Sequence, residues 1–360
     1  MKILYVSPEN VTGGLALFAE GHRRRGNECR WITFFRSLFK YEEDLCFNLF
    51  GMPHKKWVWN LRSVLNKAEG IDRGTDLEGN PPIWSPSSAL DDYLYQFRDI
   101  INTPRIRQTI KKYDLDNYDI YHFEQGIDPF KNGRWVKELV RKDKPIVCFY
   151  HGTDIRNRGI IPPVHEASRL NLTSEIDLLP RIQGMKYLYL PIDTSKFKPA
   201  IRTNPEKIKV CHIARNRRLK GSDQIEAIVR KLSGKYLIEW VMIENTPHDE
   251  VLRIMADCDI FIDQITDAGG WGYGASTVEA LSLGLPVLTR INDDVDAFLG
   301  EHPFKSVTPE SLERALVDLI NDNEMRQQMS EHGLKWVNER HGLKSVMERL
   351  YEYYGEAGII

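Results

Sequence analysis

Residues Gly269–Val287 read GGWGYGASTVEALSLGLPV. Four of the first six residues are glycine, and a helical run follows from about Ala275 or Ser276, ahead of a Pro286-Val287 strand start. Glycine at this density lets successive backbone amides wrap a phosphate. Ser276 and Glu279 stand at S-x-x-E spacing, which admits two readings. In the plainer one the pair is a capping box, with Glu279 reaching back to the helix start. In the other, Glu279 accepts hydrogen bonds from a ribose diol, a task suited to a carboxylate because it is acceptor-only and can take both hydroxyls. From the spacing alone the capping box is the simpler explanation.

This block closes a longer alternation. Short apolar runs at 2–6, 29–34, 119–123 and 145–150 read as strands, with helical patterns at 13–25, about 91–113 and 133–142. Runs this short and rich in β-branched and aromatic residues suit parallel strands buried on both faces. Residues 35–115 are otherwise irregular, with Pro53, Pro81–Trp84 and several tryptophans. The polar segment 191–206 carries three prolines, the composition of a domain boundary. Beyond it the alternation resumes, with strands at 207–213, 237–242, 259–263 and 286–289 and helices between them. Three amphipathic helices follow, near 309–321, 324–339 and 343–356. The expectation is an α/β chain of two Rossmann-like parallel-sheet domains, with ligands taken at the carboxyl ends of the strands.

Bulk composition narrows the function. A chain of 360 residues suits two domains, and 42% hydrophobic with 28% charged residues is ordinary for a globular protein. A net charge of −2 leaves no basic footprint for nucleic acid. No apolar run nears the roughly 18 residues of a membrane span, and Met1–Val6 is too short for a signal-peptide core, so it reads as a first strand. The five cysteines, Cys29, Cys46, Cys148, Cys211 and Cys258, are odd in number and form no C-x-x-C pair. A reducing, cytoplasmic compartment is expected, with the thiols acting as small buried hydrophobes.

Four places could carry chemistry. Gly13-Gly14 opens the first helix directly after the first strand, where free N–H groups can meet an anion, although a plain turn explains it equally well. No G-x-G-x-x-G is present, which argues against a nicotinamide or flavin site. Arg215 and Lys220 follow the first strand of the second half, and Gly221-Ser222-Asp223 looks like the cap of the next helix. A bidentate guanidinium, a point charge and a helix start suit a diphosphate. A solvated basic loop is the alternative, because Arg217 and Arg218 lie in it too. The glycine block is the third place. The fourth is His151 in His151-Gly152-Thr153-Asp154, at the carboxyl end of a strand, with His122 and Glu124 as weaker candidates of the same kind.

Taken together and in order, these positions resemble glycosyltransferase family four, retaining enzymes of the GT-B fold. Gly13-Gly14 and LFAEGHRRRGNE resemble the family's first glycine loop and helix, and YHGTD (150–154) its active-site histidine loop. YLPIDTSKFKP (189–199) resembles the lead into the donor domain, without the usual Asn-Gly. HIARNRRLKGSD (212–223) has Arg215 and Lys220 at the family's separation, with Ala214 where glycine is usual. CDIFIDQ through GYGASTVEALSLGLPV matches its most specific block, and LINDNEMRQQMSEHGLKWV fits its carboxy-terminal helices.

The resemblance implies two domains facing a cleft: an acceptor-binding domain, 1–191 with a tail helix 341–360 crossing back to it, and a donor domain, 192–340. It implies transfer of a hexose from a GDP-mannose- or UDP-glucose-type donor to a glycan or glycoconjugate, with retention and without metal or other cofactor. His151, Arg215 and Lys220 take the catalytic roles. Gly13, Gly14, Tyr273, Gly274, Ala275, Ser276 and Glu279 join the last two in donor binding, and base contacts fall near Ile243–Asn245. The family carries two glutamates eight positions apart: Glu279 matches the second, and the first falls on Trp271. Asp267 and Trp271 are therefore the candidates for sugar contact. Trp57, Trp59 and Trp84 are where acceptor specificity is expected. A nucleotide-sugar binder without catalysis and a sugar-nucleotide epimerase are the alternatives, and a homodimer stays open.

Overall fold

The computed structural model describes residues 1–10, 13–37, 41–50, 81–86, 88–152, 154–199 and 206–360. Among these the chain divides into two compact units: Met1–Leu188 with Met347–Ile360, and Tyr189–Val346.

The first unit holds a parallel sheet built from β1 (Lys2–Ser7), β2 (Glu28–Thr33), β3 (Leu45–Cys46), β4 (Ile120–Glu124), β5 (Ile146–Tyr150), β6 (Ser168–Thr173) and β7 (Lys186–Tyr187). Their order is β3-β2-β1-β4-β5-β6-β7. This doubly wound order reverses between β1 and β4, where Val6 pairs with Phe123, and such a reversal opens a crevice at the strand ends. β4 and β5 are buried at every position; β5 is accordingly a continuous apolar run, whereas β4 carries His122 and Glu124 among its apolar residues. One face of the sheet packs on Trp135, from the helix Arg134–Arg141. The indole meets the rings of Phe47, Tyr121 and Phe123 edge-on at centroid distances of 6.0–6.2 Å.

The tail of the helix Leu343–Glu356 is part of this unit from Met347 onward. Its tyrosines hold it there. Tyr351 Oη bonds His22 Nδ1 at 2.9 Å and accepts from Asn27 Nδ2 at 2.6 Å. Tyr354 Oη bonds His122 Nε2, and Tyr353 Oη donates to the Tyr187 carbonyl at 2.9 Å. His122 is therefore committed to the tail anchor. Burial pushes His22 down to about 3 and His122 well below its ordinary value, so both are neutral near pH 7. An unfolded histidine takes its proton near pH 6.5, whereas the folded one resists it. The unfolded state then binds more protons, and the anchor's contribution, complete above about pH 6.5, is lost as pH falls towards 3. The urea midpoint of the wild type is expected to drop over this range, and that of His22→Gln to drop less steeply.

The second unit holds β8 (Ile208–Ile213), β9 (Ile238–Ile243), β10 (Ile260–Ile262), β11 (Val287–Thr289) and β12 (Lys305–Ser306), all parallel, in the order β12-β11-β10-β8-β9. Its reversal lies between β8 and β10. Aliphatic side chains from β8 and β10 pack with Ile225, Val229, Leu312, Leu316 and Leu319 of the flanking helices. The two sheets are the expected α/β architecture. Strands β3, β6, β7 and β12 have no counterpart among the sequence expectations. Three of them are two-residue strands, and β6 alternates polar with apolar residues in SRLNLT, so none presents a continuous apolar run. The five cysteines are free thiols, four of them buried. No helix among the described residues is long and apolar enough to cross a membrane.

Candidate functional site

In the second unit the candidate residues gather at the β8/β10 reversal. The chain leaves β8 through Ala214 and the exposed Arg215, then turns through the short helix Arg217–Lys220. Asn216 caps that helix by accepting from the Arg218 N–H at 3.1 Å. Lys220 is its last residue. The ammonium of Lys220 is paired with Asp263 Oδ1 at 2.5 Å and donates to Ser276 Oγ at 3.3 Å. Asp263 follows β10 directly and is wholly buried. Its other oxygen accepts from Thr277 Oγ1 at 2.7 Å and from the Gly274 N–H at 3.2 Å. Burial alone would raise this carboxyl. The Lys220 ammonium, the Thr277 hydroxyl and the Gly274 N–H outweigh that and hold it below the usual range. A buried anion thus ties the cation of one loop to the first turn of the helix Ala275–Ser282.

This geometry corrects the capping-box expectation and assigns the cap at 221–223 to Gly221. The helix Ala275–Ser282 is capped by Gly274, with no side-chain hydrogen bond. Ser276 lies inside the first turn facing Lys220, and Glu279 bonds His248 Nε2 at 2.6 Å, so no capping box forms. Gly221, at φ 73°, caps the helix Ser222–Leu232, and Ser222 turns inward to bond His212 Nε2 at 2.7 Å. Gly221 is required at its start: its φ is positive, and a Cβ there would come 2.6 Å from Ile265 Cγ1.

The basic loop separates into two kinds of residue. Arg217 is spent on acids, 2.7 Å from Asp223 and 2.6 Å from Glu226, with Glu244 at 3.5 Å. Lys220 is turned to the helix start, and Arg215 is close enough to His248 to bear on its titration. Near the expected base contacts, Ile243 is buried and Asn245 adopts φ 51°. On the glycine turn, Asp267 is 3.3 Å from both Arg290 Nε and Asn292 Nδ2, and Trp271 is half-buried. Tyr273 puts its ring against Phe304 and Trp336 and its hydroxyl 2.9 Å from His341 Nε2, so its side chain is committed to the second unit's own packing.

In the first unit, His151 and Glu124 come together at the carboxyl ends of β5 and β4. Parallel register sets Glu124 beside Phe149, and His151 Nε2 bonds Glu124 Oε2 at 2.5 Å. The Asp154 carboxylate accepts from the His151 N–H at 2.9 Å and the Ile155 N–H at 2.9 Å, pinning the loop. Burial would lower the His151 pKa, but the hydrogen bond and charge of Glu124, with Asp154 and Glu175 behind them, raise it overall. Glu124 is 6% exposed and its Oε1 has no hydrogen-bond partner among the described residues. Gly13 stands at φ 75° as the N-cap of the helix Gly14–Arg24, and a Cβ there would lie 3.3 Å from the Tyr41 ring.

Trp84 lies 5.5 Å from Tyr95, edge to face, and Lys131 Nζ sits 4.2 Å over its ring. Trp57 and Trp59 lie outside the described residues. Among the described residues no group of three or more His, Cys, Asp or Glu side chains is arranged to hold a metal. Sequence reasoning missed Asp263 and His248. The signal for Asp263 was an acid directly after a buried apolar strand, in IFID. His248 offered none, because its partner stands 31 positions away.

Solved structures share this fold over almost the whole chain. Anabaena Alr3699/HepE in complex with UDP-glucose matches with a TM-score of 0.57 at 13% identity, covering 99% of this chain and 100% of that one. Sucrose-phosphate synthase from Thermosynechococcus elongatus matches at 0.58 and 12%, covering 99% of each. A glycosyltransferase from Rickettsia africae ESF-5 matches at 0.60 and 13%, covering 99% and 98%. No family model matches the chain, and no curated protein matches it in sequence. At these identities the likeness is one of fold, and the fold is GT-B.

Proposed function

We propose that the chain is a glycosyltransferase that moves a hexose from a nucleoside-diphosphate sugar to an acceptor hydroxyl of a glycan or glycoconjugate. The anomeric configuration is retained and no metal takes part. The observation that carries this is the Lys220 ammonium, fixed by buried Asp263 beside the first turn of the helix Ala275–Ser282. A cation and free helix N–H groups held together at a sheet reversal suit a diphosphate. HepE, of the same fold, is seen with UDP-glucose.

In this reading the second unit takes the donor. Breaking the anomeric bond leaves negative charge on the departing diphosphate. Lys220, Arg215 and the N–H groups at Ala275 and Ser276 meet that charge, while the Gly274 N–H is held by Asp263. Glu279 accepts the ribose hydroxyls. The first unit takes the acceptor, and His151, whose pKa Glu124 raises against burial, donates to a sugar hydroxyl. Glu124 is tied to His151 and Asp267 to Arg290, so neither is offered as a nucleophile. This supports a front-face route through an oxocarbenium-like ion pair.

The test is calorimetry of the purified protein with UDP- and GDP-sugars, glucose and mannose forms of each, followed by sugar release and transfer at saturating donor. Tight binding of one donor with turnover is expected; no binding to any of them sinks the proposal. Trp271 at the position of the first glutamate, with Asp267 drawn to Arg290, favours a second reading, a binder without catalysis. Binding without turnover across a wide acceptor panel selects it.

A further inference from the structure

We propose that His248 is the positioning residue that aims the Glu279 carboxylate at a ribose diol, and that it thereby sets the site's preference for ribose over 2′-deoxyribose. The inference rests on the donor-site reading above and adds to it a residue that no sequence motif marks.

His248 is the first residue of the helix His248–Ala256, reached from the carboxyl end of β9 through residues 244–247. That helix packs on the helix Ala275–Ser282. Across this contact His248 Nε2 meets Glu279 Oε1 at 2.6 Å. The Glu279 side chain is 18% exposed and that of His248 38% exposed, so the pair borders solvent. A carboxylate on a helix can rotate about its last torsion, which is broad. Two vicinal hydroxyls need both of its oxygens in one fixed plane. One N–H on Oε1 fixes that plane and consumes one lone pair. The other lone pair of Oε1 and both of Oε2 stay available for the diol. A 2′-deoxyribose offers only one hydroxyl, so it gains less from the fixed plane.

The arrangement also works against the local helix field. A histidine at a helix N-terminus sits at the positive end of the macrodipole, which disfavours its imidazolium. Here the hydrogen bond that His248 donates to Glu279 is the largest influence and raises the His248 pKa, against partial burial. The charged groups facing it are Glu279 from the neighbouring helix, Asp249 beside it and Arg215 from the end of β8; the acids raise its pKa and Arg215 lowers it. The protonated form both grips Glu279 and adds positive charge near a dianionic ligand. As pH rises through the raised pKa the charge is lost, and nucleotide affinity falls with it.

The experiment is calorimetry with UDP and GDP, each against its 2′-deoxy form, on the wild type, His248→Ala and His248→Gln. Whichever nucleotide the wild type binds, its ribose preference is expected to fall about 10-fold in His248→Ala, the scale of one charge-assisted hydrogen bond. His248→Gln keeps a neutral donor at the same place. It should restore most of the preference and abolish the weakening of binding at higher pH. In turnover assays the His248→Ala loss should appear in the donor KM rather than in kcat. An unchanged ribose preference in both variants overturns the inference while leaving the donor site standing, as does a wild-type pH dependence that survives in His248→Gln. Wild-type protein that binds neither UDP nor GDP overturns the donor-site reading and this inference together.

Discussion

Lys220→Ala is expected to cut sugar transfer roughly 100- to 1,000-fold at saturating donor, the loss typical of removing one preorganised donor to a developing anion. It is also expected to destabilise the second unit, on the order of 3 kcal/mol, because it strips the counter-ion from a carboxylate with no exposure of its own. The two effects are separable. Turnover is read on protein that still melts cooperatively, and stability is read from the urea midpoint. Asp263→Asn supplies the control: it keeps the shape of the buried group while freeing the ammonium, so turnover should fall through misplacement of Lys220. Lys220→Arg should retain the charge and lose much of the rate, since a planar fork does not reproduce the contacts of a point charge to Asp263 and Ser276. Unchanged turnover in both Lys220→Ala and Arg215→Ala would remove the diphosphate clamp from the mechanism.

The second large effect is expected at His151. His151→Ala should lower turnover about 100-fold if the imidazolium donates to the sugar. The pH profile carries the sharper information. Glu124 raises the His151 pKa against burial. The donating form therefore prevails at lower pH, and activity declines as pH climbs through the raised value. Glu124→Gln removes the charge and should move that decline to lower pH, which the imidazole proton resonances of His151 would report directly. The sign for stability is the same. A histidine with a raised folded pKa stabilises fully below about pH 6.5, and the contribution disappears as pH rises through the folded value. A decline at the same pH in wild type and Glu124→Gln would break the assignment of Glu124 as the group that keeps His151 charged.

Much of this was legible in the chain because it is local. The strand IVCFY is apolar throughout since both its faces are buried, and that property is written in consecutive residues. Gly13, His151, Arg215, Lys220 and the glycine turn were marked by position, each just after a strand. What those groups touch was not legible. The S-x-x-E of Ser276 and Glu279 satisfied the capping rule and still formed no capping box, because Lys220 and His248 compete for the two side chains across 56 and 31 residues. At Gly221-Ser222-Asp223 the cap falls on the glycine rather than the serine, because buried His212 claims the Ser222 hydroxyl.

The amino-acid sequence by itself determined that two parallel α/β sheets would form and which loops lie at their strand ends, because periodicity and burial act between near neighbours. Only the tertiary structure decided the partnerships at those ends. Asp263 became the counter-ion of Lys220, Glu124 the partner of His151, and the tail tyrosines the partners of His22 and His122. Each joins residues 27 to 329 positions apart. A buried charge or imidazole is costly to leave without a partner, and the groups that meet it are chosen by packing rather than by distance along the chain.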